Sequence, residues 1–420
     1  MGTTRTFEAM LNEYLPNKLL AEDLVKRDYI FNKVVKDTSW KGGDLIVPFK
    51  GNVPSTISFG ALSAESDIAE SSKIRGKIDA YREVWGTIKL NHTDLMQHDG
   101  PIPESTFIRL IDDELEDFMD YYKQVVSIQL GSGPHFALVT DSTNAATGVM
   151  VVDRVDRFQL SQKSVIDDDD TSGSGTAIYV TAINLNTKAV TFSATRGGGA
   201  VNLSAFTAAQ NAALYHPGVF DSGGAHNTFI SMRQALLSAT NGGAATIHGQ
   251  TKTAYPHLQS VNISGAAITA TNILEKLFDA YLEVRIRARG TAQEFLMSFK
   301  NWGSCMKAME TNKGAYRVVG EPKASEYGWW ETTIASTSSG EALKIVGIQE
   351  MDDDIIPIVD WKGITFRSNG LFRKRKAPDG KSYYEIRATT GYSYLIDVCL
   401  FGEMEYRKPN GSGIVHTISY

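Results

Sequence analysis

The residues whose types could do chemistry are eight histidines, two cysteines and a few acidic or glycine-rich runs in a chain of 420 residues. The histidines are His92, His98, His135, His216, His226, His248, His257 and His416. None is paired at i, i+4, and none stands beside a cysteine or carboxylate set with metal-ligand spacing. Cys305 could act as a nucleophile only with a distant histidine. Next to Met306 in a short helical stretch it reads as a packed thiol. With Cys399 it does not make a disulfide framework. Asp167–Asp170 lacks the alternating ligands and the following glycine and glutamate of a calcium loop, so it reads as a solvated turn. Asp352–Asp354 precedes an apolar strand and reads as a surface turn. Arg196 and the three glycines after it lack the strand–loop–helix setting of a phosphate cradle. The chain contains neither a nucleophile elbow nor a P-loop. This set argues against an enzyme, and neither a metal nor a cofactor is expected.

Composition narrows the field further. Hydrophobic residues make up 42% and charged ones 21%, enough for two or three domains with cores. Lys and Arg total 42 against 48 Asp and Glu, a net charge of −6, which opposes a broad basic face for nucleic acid. Apolar runs stay short of the roughly 18 residues of a membrane span. The first residues lack the hydrophobic segment of a signal peptide.

The elements come in a distinctive order. Residues 1–37 read as an arm. Phe7, Met10, Leu11, Tyr14 and Leu15 share one helical face ended by Pro16, and a second helix is expected from about Leu20 to Val35. Residues 38–100 read as extended: a strand at Asp44–Phe49, then alternation from Lys73 to Leu90. Ile74, Ile78, Val84 and Ile88 lie on one face, with Lys73, Arg75, Lys77 and Lys89 on the other. The simplest picture is a projecting β-hairpin. Residues 101–148 hold one long helix between Pro101 and Gly133, about 25 residues or about 38 Å of rod, followed by a loop over 133–148. Its stripe includes Phe107, Leu110, Leu115, Phe118, Met119, Tyr122 and Val126. Asp112, Asp113, Glu116, Asp117 and Asp120 form the opposite face. Residues 149–220 suggest a small separate β unit. Residues 221–370 combine a short helix near Met232, a strong one at 271–287, the strand Glu294–Phe299 and a helix at Asn301–Asn312. Residues 371–420 are strand-rich. The fold class expected is α+β.

In this order the parts resemble the major capsid proteins of tailed bacteriophages, with the Hong Kong 97-type capsid fold. The resemblance covers most of the chain. The arm is similar to that family's N-terminal arm, 38–100 to its extended loop, and Ser105–Leu130 to its spine helix. Met232–Leu237, the helix at 271–287, Phe295–Phe299 and the helix at 302–312 are similar to its axial domain. The last fifty or so residues are similar to the return strands of its peripheral domain. The β unit lies outside the minimal fold and resembles the inserted domains of some relatives. The long charged helix of relatives with a built-in scaffold is not seen ahead of the arm.

The resemblance implies a shell subunit that self-assembles as hexamers and pentamers into an icosahedral virion capsid. That capsid would enclose double-stranded DNA without sequence-specific contact, with a portal at one vertex. A separate scaffolding protein, assembly in the host cytoplasm and no membrane partner are further expectations. Phe7, Leu11 and Leu15 are expected to dock on an adjacent subunit. The 73–90 ribbon, through Lys73, Arg75, Lys77 and Lys89, is expected to lie over a neighbour's helix at Asp112, Asp113, Glu116, Asp117 and Asp120. An encapsulin-like nanocompartment shell and a glycan-binding adhesive β protein are the alternatives. The size and the inserted unit oppose the first, and the long acidic helix opposes the second.

Overall fold

The computed structural model describes residues 17–41, 43–50, 73–79, 81–91, 104–167, 175–210, 212–219, 227–288, 292, 294–312, 316–319, 323–324, 329–336, 342–376, 383–388 and 391–418. Along 104–113 it describes the backbone path alone. The chain forms two compact units. One comprises Met1–Asp120 with Met232–Tyr420, and the other is Tyr121–Ser231.

In the first unit, helix α1 (Asn17–Arg27) is followed by α2 (Tyr29–Lys33). The single helix expected over 20–35 is broken at Asp28. Its carboxylate accepts from the Phe31 amide at 2.9 Å and starts a new helix instead of continuing the old one. Strand β1 (Val35–Asp37) follows, then β2 (Leu45–Lys50), β3 (Lys73–Ile78), β4 (Arg82–Asn91) and helix α3 (Glu104–Gly131).

The alternation from Lys73 to Leu90 does not make one ribbon. β3 pairs antiparallel with β2 in a two-stranded sheet, while β4 leaves it and pairs with the long strand β23 (Gly391–Tyr406). The corner is held by Tyr81. Its hydroxyl donates to the Trp40 carbonyl at 2.7 Å, and its ring packs on Trp40 and Phe401. Ile78, Val84 and Ile88 are buried on both sides of the corner, so the same alternate positions face inward before and after it. Alternation reports which way a side chain faces and is blind to a change of partner strand.

Two large sheets complete this unit. The remaining strands of the unit are β11 (Thr246–Ile247) and β12 (Gln250–Thr251), which pair only with each other, and β13 (Val261–Ser264), β14 (Glu294–Met297), β15 (Tyr316–Val318), β16 (Lys323–Ala324), β17 (Trp329–Ser336), β18 (Ala342–Ile348), β19 (Ile356–Val359), β20 (Ile364–Arg367), β21 (Phe372–Lys374), β22 (Tyr384–Ala388), β23 and β24 (Gly413–His416). The six-stranded sheet runs β1-β20-β23-β21, with β22 and β4 also on β23. The eight-stranded sheet runs β13-β24-β19-β14-β18-β17-β15, with β16 also on β17. Thus β20, within the stretch 221–370, pairs beside β23, whereas β24, within 371–420, joins the other sheet. Helix α4 (Met232–Leu236) is short. Helices α5 (Ile273–Ala288) and α6 (Phe299–Thr311) share a core with the eight-stranded sheet through Leu277, Val284, Cys305, Phe295, Met297 and Ile345. β14 is central and its Phe295, Leu296 and Met297 are all buried, which is why it reads as an unbroken apolar run. Each such side chain contributes about 1.5–3 kcal/mol by leaving water.

The second unit contains a closed barrel of β5 (His135–Asp141), β6 (Val149–Val152), β7 (Lys163–Asp167), β8 (Thr176–Asn184), β9 (Ala189–Ser193) and β10 (Ala213–Tyr215), in the order β10-β5-β6-β9-β8-β7. It begins at His135, inside the stretch 133–148 expected to be a loop. β5 buries Phe136, Ala137 and Val139 without strict alternation, so its period carried no strand signal. Closure leaves no open strand edge. Ile128, near the end of α3, packs into this core. The helix stops where the Ser132 and Gly133 amides both donate to the Ile128 carbonyl, with Gly133 at φ 138°.

Candidate functional site

The surfaces that could act are the β2–β3 ribbon and the acidic side of α3. The ribbon register sets Ile46 opposite Lys77, Val47 opposite Gly76, Pro48 opposite Arg75 and Phe49 opposite Ile74. Opposed residues share a face. Val47, Phe49, Gly76 and Ile78 are buried. Ile46, Pro48, Arg75 and Lys77 are exposed, Ile46 by 57%. Gly76 is required for the close approach on the buried side. A Cβ there would come within 2.4 Å of the Phe49 ring and 3.2 Å of the His248 carbonyl oxygen. The ribbon therefore presents one apolar face inward and one mixed, basic face outward.

On α3, Glu114, Glu116, Asp117 and Asp120 are exposed. Asp120 already pairs with Arg27 at the end of α1, and Arg27 also binds Asp23 at 2.7 Å. Lys77 likewise binds Asp44 at 3.0 Å and Asp79 at 2.7 Å, and these two carboxylates raise the lysine's pKa. Both residues, expected to face a neighbouring subunit, have partners in their own chain. Lys89 lies on β4 opposite Leu395, in the six-stranded sheet and apart from the ribbon. Glu116 and Asp117 form no ion pair with a described residue, and no ion pair or hydrogen bond among the described residues joins Arg75 to them. Phe7, Leu11 and Leu15, and the side chains of Lys73, Asp112 and Asp113, lie outside the described residues.

Two polar clusters bring together partners whose pairing had no signal in the sequence. Glu294 on β14 accepts from the Tyr29 hydroxyl at 3.2 Å, from Lys344 at 3.1 Å and from the Trp361 indole. Lys344 also binds Glu331 at 3.1 Å and donates to the Tyr29 hydroxyl at 3.0 Å. Burial opposes the lysine's charge, but Glu294 and Glu331 outweigh it and raise its pKa. Burial, reinforced by Glu294, keeps the Tyr29 phenol protonated. This cluster ties α2 to the eight-stranded sheet. The second cluster is Arg233 with Asp352 at 3.3 Å and Asp354 at 2.7 Å. Asp352 is buried, so the acidic run is a structural clamp as well as a turn. Partners far apart in sequence leave no local pattern to read.

The candidate nucleophile is poorly placed for chemistry. Cys305 is fully buried, with its Sγ 3.8 Å from the Met297 Sδ, and burial raises its pKa strongly. A buried thiol held protonated is inert. Burial also pushes Cys399 up to about 12. Among the described residues no group of histidines, cysteines and carboxylates could hold a metal ion, and no helix is long and apolar enough to cross a membrane.

No protein-family model matches the chain, and no curated protein matches it. Among solved structures, it is similar to the capsid asymmetric unit of cyanophage A-1(L), with 11% identity and a TM-score of 0.44 over 100% of each chain. It is similar to a structure of Gordonia phage Cozz at 13% identity and a TM-score of 0.42, covering 94% of this chain and 87% of that one. It is also similar to the SrpI encapsulin of Synechococcus elongatus PCC 7942 at 8% identity and a TM-score of 0.34, covering 100% and 92%.

Proposed function

We propose that this chain is a major capsid protein of a tailed bacteriophage, assembling through pentamers and hexamers into an icosahedral shell around double-stranded DNA. The observation that carries the proposal is the β2–β3 ribbon. It forms a sheet of its own outside both large sheets, and its outer face carries Ile46, Arg75 and Lys77. Its inner face is already buried on its own subunit, so the outer face, with Ile46 57% exposed beside two cations, is the one left for a neighbouring surface. The order arm, ribbon, 28-residue helix and helix-covered sheet fits the Hong Kong 97-type plan, with the barrel as an inserted domain.

In this reading the shell works by association alone. Each contact is modest, and many together close the shell. A ribbon reaching a neighbour adds contact without enlarging the body. Arg75 of one copy would meet Glu116 and Asp117 of the next, and Phe7, Leu11 and Leu15 would dock on an adjacent subunit. A scaffolding protein, a portal at one vertex and assembly in the host cytoplasm belong to the same proposal. The net charge of −6 suits a lumen that does not grip the duplex. Sedimentation of the purified 46.0 kDa chain tests the proposal. Pentamers, hexamers or larger shells support it, and a monomer at every concentration and salt overturns it.

A further inference from the structure

His248 stands at the one described place where the ribbon, a tight turn and the six-stranded sheet meet. β11 and β12 form a hairpin with Ile247 opposite Gln250, so its two turn residues are His248 and Gly249. Both have positive φ, 48° and 74°. Such a turn favours Asn, Asp or Gly at its first position. A histidine there is strained unless its surroundings hold it. Three contacts do so. The His248 carbonyl accepts from the Lys77 amide of β3 at 2.8 Å. Its ring stacks on Phe49 of β2, with centroids 6.1 Å apart and planes 13° apart. Its Nε2 accepts from the Tyr406 amide of β23 at 3.1 Å. β4 stops pairing with β23 at Gly402, so the imidazole serves Tyr406 beyond the last paired residue of β4. Next to it, the Gln250 side chain donates to the Arg75 carbonyl at 2.9 Å. The ring is 5% exposed, and burial keeps it neutral at neutral pH, as an acceptor at Nε2 must be.

We propose that His248 is a positioning residue that fixes the direction in which the β2–β3 ribbon leaves the body of the subunit. The assignment rests on the ribbon being a contact between copies, which belongs to the function proposed above. The imidazole joins the ribbon to β23 through a single side chain. Losing it leaves the ribbon attached by its chain connections, by the turn's backbone and by the Gln250 side chain, with no tie to β23 through the imidazole. A ribbon free to swing offers a neighbour many directions instead of one. Closure of a shell with one diameter then fails, although every contact residue is still present.

The test is His248→Asn, which suits the left-handed turn but removes both the stack and the acceptor at that reach. Hydrogen exchange on the unassembled subunit is the first readout. Amides of Val47, Lys77 and Tyr406 should exchange about tenfold faster or more, with the barrel amides unchanged. Unchanged exchange at those three amides, or an equal rise across the whole chain, overturns the assignment whatever the chain assembles into. If His248→Asn does not fold, Phe49→Leu removes the stack from the ribbon side and carries the same test. Particle size is the second readout. The expected products are open sheets or shells of mixed diameter, and uniform shells of wild-type diameter overturn the positioning role. If the wild-type chain itself forms no shells, the function proposed above fails while the exchange result still decides the role of His248.

Discussion

The hydroxyl of Tyr29 donates to Glu294 across 265 positions of sequence, at 3.2 Å, and so locks the short helix that precedes β1 onto the central strand of the eight-stranded sheet. The carboxylate is also bound by Lys344 and Trp361, so its oxygens are well used. Removing one member strands the others in a half-buried site.

Glu294→Leu should therefore destabilise the first unit by about 2–3 kcal/mol. Lys344→Met should cost a similar amount, and the double variant less than the sum, because both singles break the same network and lose the same ion pair. Denaturant unfolding of the four proteins checks this. Strict additivity would show that the pair is not coupled.

The outer faces of ribbon and helix should be paired between copies through Arg75, since Lys77 and Asp120 are held within their own chain. Arg75→Glu and Asp117→Arg should each reduce assembly, and the double variant should restore it. Raising salt should weaken the wild-type contact, as for exposed charges generally. Light scattering during assembly measures this. Failure of the double variant to recover would remove this pairing.

The barrel should be acid-sensitive through His216. The residue is half-buried with its Nε2 shielded from solvent, and the ring stacks on Phe136 at 4.5 Å with the positive Arg157 nearby. Burial first, then Arg157, pushes its pKa down to about 4 from 6.5. The unfolded state therefore takes up a proton between pH 6.5 and 4 that the folded state refuses. Stability is fully present above pH 6.5 and falls as pH drops through this window, by an amount on the order of 3 kcal/mol. Unfolding of the barrel followed by β8 and β9 amide exchange should show the loss. His216→Phe should flatten it, and an unchanged slope would contradict the assignment.

Much of this architecture was legible in the sequence, and what was not has physical reasons. The apolar stripe of α3 and the central strand β14 show themselves because period and burial are local properties. The inward facing of Ile78, Val84 and Ile88 is readable for the same reason. The corner at Tyr81 is invisible, because alternation continues while the partner strand changes. β5 escaped because its burial does not alternate. The Glu294 cluster and His248 escaped for another reason. Their partners, Tyr29 and Lys344 for the one and Phe49 and Tyr406 for the other, come together only once the sheets have formed. Histidines without metal spacing had no reason to attract notice, yet His216 and His248 both sit where burial favours the neutral ring.

Electron microscopy of the purified, negatively stained chain, concentrated at low and moderate salt, tests the central claim most directly. The account predicts closed polyhedral shells, or rings of five and six subunits where closure needs a further protein. A field of single 46.0 kDa particles under every condition would contradict it.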